Sequence, residues 1–133
     1  MESTFTMIKP DGVRKNLTGE IISRFEKRGL LIEGMRLERL SKETANVHYG
    51  EHKGKAFFQE LVDFVTSGPV VLLKISGIEG TVDIVRSMIG ATNPAEAASG
   101  TIRGDYATEI SENIIHGSDS LESAARELDL FFR

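Results

Sequence analysis

Hydrophobic and polar residues follow two rhythms along this chain, and the changes of rhythm mark its elements. The run Thr4-Phe5-Thr6-Met7-Ile8-Lys9 is rich in β-formers and stops at Pro10-Asp11-Gly12, a turn signature. It predicts a first strand with Lys9 at its C-terminal end. Thr18 then reads as the N-cap of a helix whose Ile21, Ile22 and Phe25 share one face and whose stop is Gly29. Over residues 30–40, Ile32, Met35, Leu37 and Leu40 mix irregularly with charges. That pattern predicts a long, half-buried strand with Gly34 at a bulge. Ser41 opens a polar helical stretch that runs through His48 and Tyr49. A further helix spans about residues 57–66, where Phe57, Phe58, Leu61, Val62 and Val65 fall at helical spacing. Gly68-Pro69 breaks it.

The next run, Val70-Val71-Leu72-Leu73-Lys74-Ile75, is almost continuously apolar, as a central strand covered on both faces should be. Residues 81–89 read as a helix with Val82, Val85, Met88 and Ile89 inward, and residues 91–103 as a loop around Pro94. Ile114-Ile115 is a short apolar strand leading into His116-Gly117-Ser118-Asp119. Ser118 or Asp119 is placed as the cap of a last helix with Leu121, Ala124, Ala125 and Leu128 on one face. A βαββαβ core is embedded in this order. It predicts an α+β sandwich, a ferredoxin-like fold with a four-stranded antiparallel sheet and additional helices, in one domain over residues 1–133.

Composition narrows the chemistry more than the fold. With 20 acidic against 16 basic side chains, the chain lacks the basic surface of a nucleic-acid binder. It has no cysteine, which excludes a disulfide scaffold, a thiolate nucleophile and a cysteine zinc site together. No run approaches the length of a membrane span, and Met1-Glu2-Ser3-Thr4 does not begin a signal peptide, so a cytoplasmic protein with no membrane partner is expected. P-loop, dinucleotide and nucleophile-elbow motifs are all missing. The strongest nucleophiles left are His48, His52 and His116.

His48 and His52 stand four apart, a spacing that could place two metal ligands on one helical face. No H-E-x-x-H and no third ligand accompany them, so they read as surface or ligand-facing imidazoles. His116 is better placed. It ends an apolar strand beside a glycine, which leaves its ring approachable; a packed histidine before a capped helix is the competing reading.

Asn113-Ile114-Ile115-His116-Gly117-Ser118-Asp119 resembles the active-site signature of the nucleoside diphosphate kinase family. Thr6-Met7-Ile8-Lys9-Pro10-Asp11-Gly12-Val13 resembles that family's first strand and turn. Thr66-Ser67-Gly68-Pro69-Val70, Gly90-Ala91-Thr92-Asn93-Pro94-Ala95 and Gly100-Thr101-Ile102-Arg103-Gly104-Asp105 follow in the family's order and spacing. The likeness covers nearly the whole chain.

The resemblance implies transfer of the γ-phosphoryl group of ATP or another nucleoside triphosphate to a nucleoside diphosphate through a phosphohistidine. By matched position, His116 is the nucleophile, with Lys9 and Glu127 as its catalytic companions. Lys9, Tyr49, Arg86, Thr92, Arg103 and Asn113 line the nucleotide site, and Phe57 stacks on the base. Glu127 holds the far side of the His116 ring, and His52 reaches towards a phosphate. Mg²⁺ is implied on the bound phosphates. So is a closed homo-oligomer, a hexamer ahead of a tetramer, with the long 91–103 loop ordered by a neighbouring subunit. The alternative is a member of the same fold that only binds nucleotides or proteins. The presence of His116, Arg86 and Arg103 together argues against it.

These assignments make physical sense. Phosphoryl transfer depends on positioning and on cations, which two arginine forks and a lysine can supply without a P-loop. A neutral imidazole is plentiful near neutral pH, and a carboxylate on one ring nitrogen fixes the tautomer that lets the other attack.

Overall fold

The computed structural model describes residues 1–132. In chain order the elements are β1 (Glu2–Ile8), α1 (Pro10–Arg14), α2 (Thr18–Lys27), β2 (Leu31–Glu38), α3 (Lys42–His48) and α4 (Phe58–Val65). They continue with β3 (Val70–Gly77), α5 (Thr81–Ile89), α6 (Ile102–Tyr106), β4 (Ile115–Gly117) and α7 (Leu121–Phe131). The strands form one four-stranded sheet in the order β2-β3-β1-β4, and every pairing is antiparallel. The α+β sandwich read from the sequence is what forms.

The two central strands are buried on both faces, and their side-chain alternation divides the core into two layers. Phe5, Met7, Val70 and Leu72 pack with Tyr49, Val62, Val65 and Phe131 on the side of α3, α4 and α7. Ile8, Val71, Leu73 and Ile75 pack with Ile21, Phe25, Val85 and Ile89 on the side of α2 and α5.

Several local expectations are corrected. Pro10-Asp11-Gly12 opens the short helix α1 rather than a simple turn, since a proline at a first helical position costs no hydrogen bond. Thr18 does not cap α2. Leu17 occupies that position in a helical conformation with no side-chain cap, because α2 runs on directly from the turn at Asn16. The bulge in β2 lies between Ile32 and Gly34, as expected, but the strand is an edge. Leu31, Met35 and Leu37 are therefore exposed rather than half-buried.

The 91–103 segment is more ordered than a loop. Asn93 caps a 3₁₀ turn at Pro94–Glu96, and Thr101 caps α6. Ser120, not Ser118 or Asp119, caps α7 through the Ser123 N–H. Leu121 and Ala125 face solvent, while Ala124 and Leu128 pack inward as expected, and Glu127 and Phe131 join them on that face. A buried carboxylate on that face is the first structural sign of a functional site.

Candidate active site

Strand pairing assembles the site. Met7 lies opposite His116 in the register of β1 and β4, so Lys9, just beyond β1, arrives beside the Asn113–His116 segment. A Cβ on Gly117 would stand 2.6 Å from Ile89 Cδ1, so a larger residue after the histidine would require the end of the Ile89 side chain to shift.

Nε2 of His116 lies 3.0 Å from both carboxylate oxygens of Glu127. Ser118 Oγ donates to Glu127 Oε1 at 2.5 Å. Burial works against the Glu127 charge, but the hydrogen bond and charge of His116, with help from Ser118 and His48, outweigh it and hold the carboxyl below its ordinary value. An ionised Glu127 keeps the proton of a neutral His116 on Nε2. Nδ1, which has no hydrogen bond among the described residues, is then the nitrogen with a free lone pair.

His48 belongs to this cluster, and the sequence reading missed it. Its ring packs edge-on to that of His116 at 4.8 Å, and its Nδ1 lies 3.6 Å from Glu127 Oε2. Burial first, then the charge of His116, pushes its pKa down to about 3, so it sits neutral beside Glu127. His52 does not share its helical face. Tyr49 ends α3, and His52 lies in the following 3₁₀ turn, its ring 5.1 Å from that of Phe57. The spacing of four suggested a single helix, and the turn at Tyr49 interrupts it.

A second group lies around Lys9 and Asn113. Lys9 Nζ donates to Asn113 Oδ1 at 2.7 Å, and Asn113 Nδ2 donates to the Thr92 carbonyl at 3.0 Å. Burial, together with the charge of Arg103, pulls the Lys9 ammonium down to about 8. Arg103 is buried and reaches three backbone carbonyls, those of Asn113, Gly90 and Ile115. Its guanidinium pKa is lowered to about 10 by burial and by Arg86. Arg86 is exposed, and among the described residues its guanidinium donates to the Gly117 carbonyl at 3.3 Å. Thr92 is exposed, and its backbone rather than its hydroxyl makes the visible contact.

Beside these groups opens a cavity of about 880 Å³, lined by Lys9, Tyr49, His52, Phe57, Leu61 and Ile110 among others. Phe57 stands partly exposed at its wall, just before α4, while Phe58, the first residue of α4, packs against the core. Lys9 joins the cavity to the histidine cluster. Ile110 was not foreseen, because residues 107–113 carry no periodic pattern that would have marked it.

The metal question can be tested on the donors present. Among the described residues, the group able to hold an ion is His48, His116 and Glu127, whose ligand atoms lie within 4.8 Å of one another. Its nitrogens and its engaged carboxylate do not suit Mg²⁺, which prefers an octahedron of oxygens. This chain therefore does not fit Mg²⁺ as a direct side-chain ligand set.

A sheet-end histidine backed by a buried carboxylate, with cationic side chains near it and an aromatic-walled cavity reached through Lys9, suits a nucleophile acting on an anionic substrate. The sequence model described as "Nucleoside diphosphate kinase" matches residues 2–133, and the chain belongs to the nucleoside diphosphate kinase family. A relative so named from Carboxydothermus hydrogenoformans is 58% identical over 133 residues, covering 100% of this chain and 89% of that protein. Another, from Saccharolobus solfataricus, is 60% identical over 131 residues, covering 98% and 94%. Among solved structures, a nucleoside diphosphate kinase family protein from Babesia bovis superposes with a TM-score of 0.96 at 45% identity, covering 99% of this chain and 88% of that one. A halophilic nucleoside diphosphate kinase from Halobacterium salinarum, solved in complex with CDP, gives 0.95 at 46% identity, covering 98% and 87%.

Proposed function

We propose that this chain, acting as a single domain, is a nucleoside diphosphate kinase working through a phosphohistidine on His116. The observation that carries the reading is the Glu127–His116 pair, which spends Nε2 on the carboxylate and leaves Nδ1 to attack. In the first half-reaction Nδ1 bonds to the γ-phosphorus and the bond to the β-bridging oxygen breaks, releasing the diphosphate. In the second, an incoming diphosphate takes the phosphoryl group from Nδ1. The ring is cationic while it carries the phosphoryl group, and Glu127 stabilises that charge. Lys9, Arg86 and Arg103 offset charge on the transferring oxygens, and Mg²⁺ is carried by the nucleotide's own phosphates.

Phe57 offers a face that stacks on any base, and Lys9 with Asn113 reaches the sugar, so several nucleosides should serve. CDP bound to the Halobacterium relative supports a nucleotide in the corresponding cavity. Mixing the protein with γ-labelled ATP should leave acid-labile, alkali-stable label on the chain, and adding GDP should discharge it. Label that never becomes protein-bound would refute the covalent route.

Lys9 sets a pH dependence. Its pKa near 8 means that the ammonium is present below that pH and is lost above it. The KM for nucleotide should therefore rise as pH passes about 8, and Lys9→Met should start from a high KM and lose the rise. A wild-type KM that stays flat to pH 9 would show that this amine does not grip the phosphates.

We further propose a homo-oligomer, a hexamer ahead of a tetramer, and a cytoplasmic setting. The outer edge of β2 supports assembly, since Leu31, Met35 and Leu37 stand exposed on a strand whose outer edge has no partner strand among the described residues. The 91–103 segment needs a neighbour less than its length suggested, because its own caps order it. Among the described residues, no helix is long and apolar enough to cross a membrane. Light scattering should give a closed multiple of the 14.6 kDa chain, and a monomer mass at micromolar concentration would count against assembly.

A further inference from the structure

Ile114 has φ +73°. For a β-branched residue this left-handed conformation is disfavoured, because its Cβ crowds the backbone. The other non-glycine residue in that region is Asn16, a type that tolerates it. Around Ile114 the Ile115 N–H donates to the Asn113 carbonyl at 2.8 Å, closing a γ-turn of the rare, strained kind. The turn joins Asn113, which holds Lys9, to His116 three residues on. Strain of this sort persists only where the surroundings over-determine it.

Here three groups do so. The Lys9 N–H donates to the Ile114 carbonyl at 2.8 Å, and Arg103 Nε donates to the Asn113 carbonyl at 3.2 Å. The third is Asp11. Its Oδ2 accepts the Ile114 N–H at 2.9 Å from a carboxylate that is almost wholly buried. Gly12 lets the clamp close, since a Cβ there would lie 2.8 Å from Ile8 Cγ2 and 3.1 Å from the Ile114 carbonyl oxygen. Asp11 Oδ1 is also buried and has no hydrogen-bond partner among the described residues. A buried carboxylate left half-satisfied is a poor device for stability alone. Its one strong bond goes to the strained residue.

We propose that Asp11 is a positioning residue for phosphoryl transfer: its carboxylate holds Ile114 at positive φ and so fixes Asn113 and His116 in register with Lys9. It touches neither nucleotide nor reacting atoms and acts through the backbone. The inference rests on His116 being the phosphate acceptor, and the wild-type labelling described above tests that reading separately.

The test uses the whole chain and measures single-turnover phosphorylation by ATP, steady-state kcat and KM, and the melting temperature. Asp11→Ala frees the Ile114 N–H, the turn relaxes to negative φ, and the transfer rate should fall roughly tenfold to a hundredfold, as a misplacement near 1 Å would cause. KM should change far less than kcat. Ile114→Gly in the Asp11→Ala background removes the Cβ that resists positive φ, so the turn no longer needs its clamp and most of the lost rate should return. Asp11→Asn keeps an acceptor oxygen and should lose only about threefold to fivefold, well short of the alanine variant.

A folded Asp11→Ala protein that transfers at the wild-type rate would overturn the proposal. So would a double variant no faster than Asp11→Ala alone. If Asp11→Ala does not fold, Asp11→Asn decides: a folded amide variant slowed a hundredfold would show that charge, not the clamp on Ile114, is what matters.

Discussion

His116→Ala should take up no label from γ-labelled ATP and should lose roughly four to six orders of magnitude in kcat, the scale seen when a covalent nucleophile is removed. The expectation follows from how the site is built. Nδ1 is the free nitrogen because Nε2 is committed to Glu127 and Glu127 is committed to Ser118. Nothing nearby can substitute. His48 is neutral, but its side chain is almost wholly buried against Glu127, and His52 sits in a separate 3₁₀ turn beside Phe57. The variant should stay folded, since the side chain is about a quarter exposed and its loss opens no deep core cavity. Label remaining on a folded His116→Ala protein would move the nucleophile elsewhere and sink the mechanism.

The framework of that site was legible in the sequence to differing depths. The strands were clear where burial imposes a pattern. The β3 run is apolar because both its faces are covered, and β1 stops at Ile8, just before Lys9, because Pro10 cannot continue a ladder. At the edge the pattern failed. The apolar residues of β2 resemble a half-buried strand, and only the strand order shows that they face outwards.

The site residues divide in the same way. His116, Lys9, Arg103 and Asn113 were marked by motifs, and strand pairing brings them together. Glu127 is marked by the family resemblance alone, since the apolar pattern of α7 does not single out its face, and the fold buries it there against His116. His48 was read with His52, four residues away, although its partners are Glu127 and His116, far off in the chain. The positive φ of Ile114 has no sequence signal at all. An isoleucine at that position gives no hint of a turn, and the cause lies in a carboxylate more than a hundred residues earlier.

Arg103→Ala should be the most damaging change among the phosphate-facing cations, ahead of Arg86→Ala. Both remove a permanent charge from the transferring group, which is worth about 2–4 kcal/mol of transition-state stabilisation where the contact tightens during transfer. Arg86 is exposed and, among the described residues, has a single long tether, so its loss should fall at the lower end of that range, roughly thirtyfold in kcat/KM. Arg103 does two jobs. Nε, Nη1 and Nη2 are donated to the carbonyls of Asn113, Gly90 and Ile115, which leaves two of its five N–H donors for a phosphate. Its removal takes away the charge and also releases the backbone on either side of Ile114. Each buried carbonyl left without a donor costs about 1–3 kcal/mol, so the melting temperature should fall as well as the rate. Arg103→Lys then separates charge from fork. A single ammonium restores the charge but cannot reach three carbonyls that a planar guanidinium spans, so the variant should recover little of either loss. Kinetics and thermal melts on the three variants check this together. An Arg103→Lys protein with wild-type kcat/KM and melting temperature would mean that neither the fork nor its grip on the Asn113–Ile115 backbone is needed.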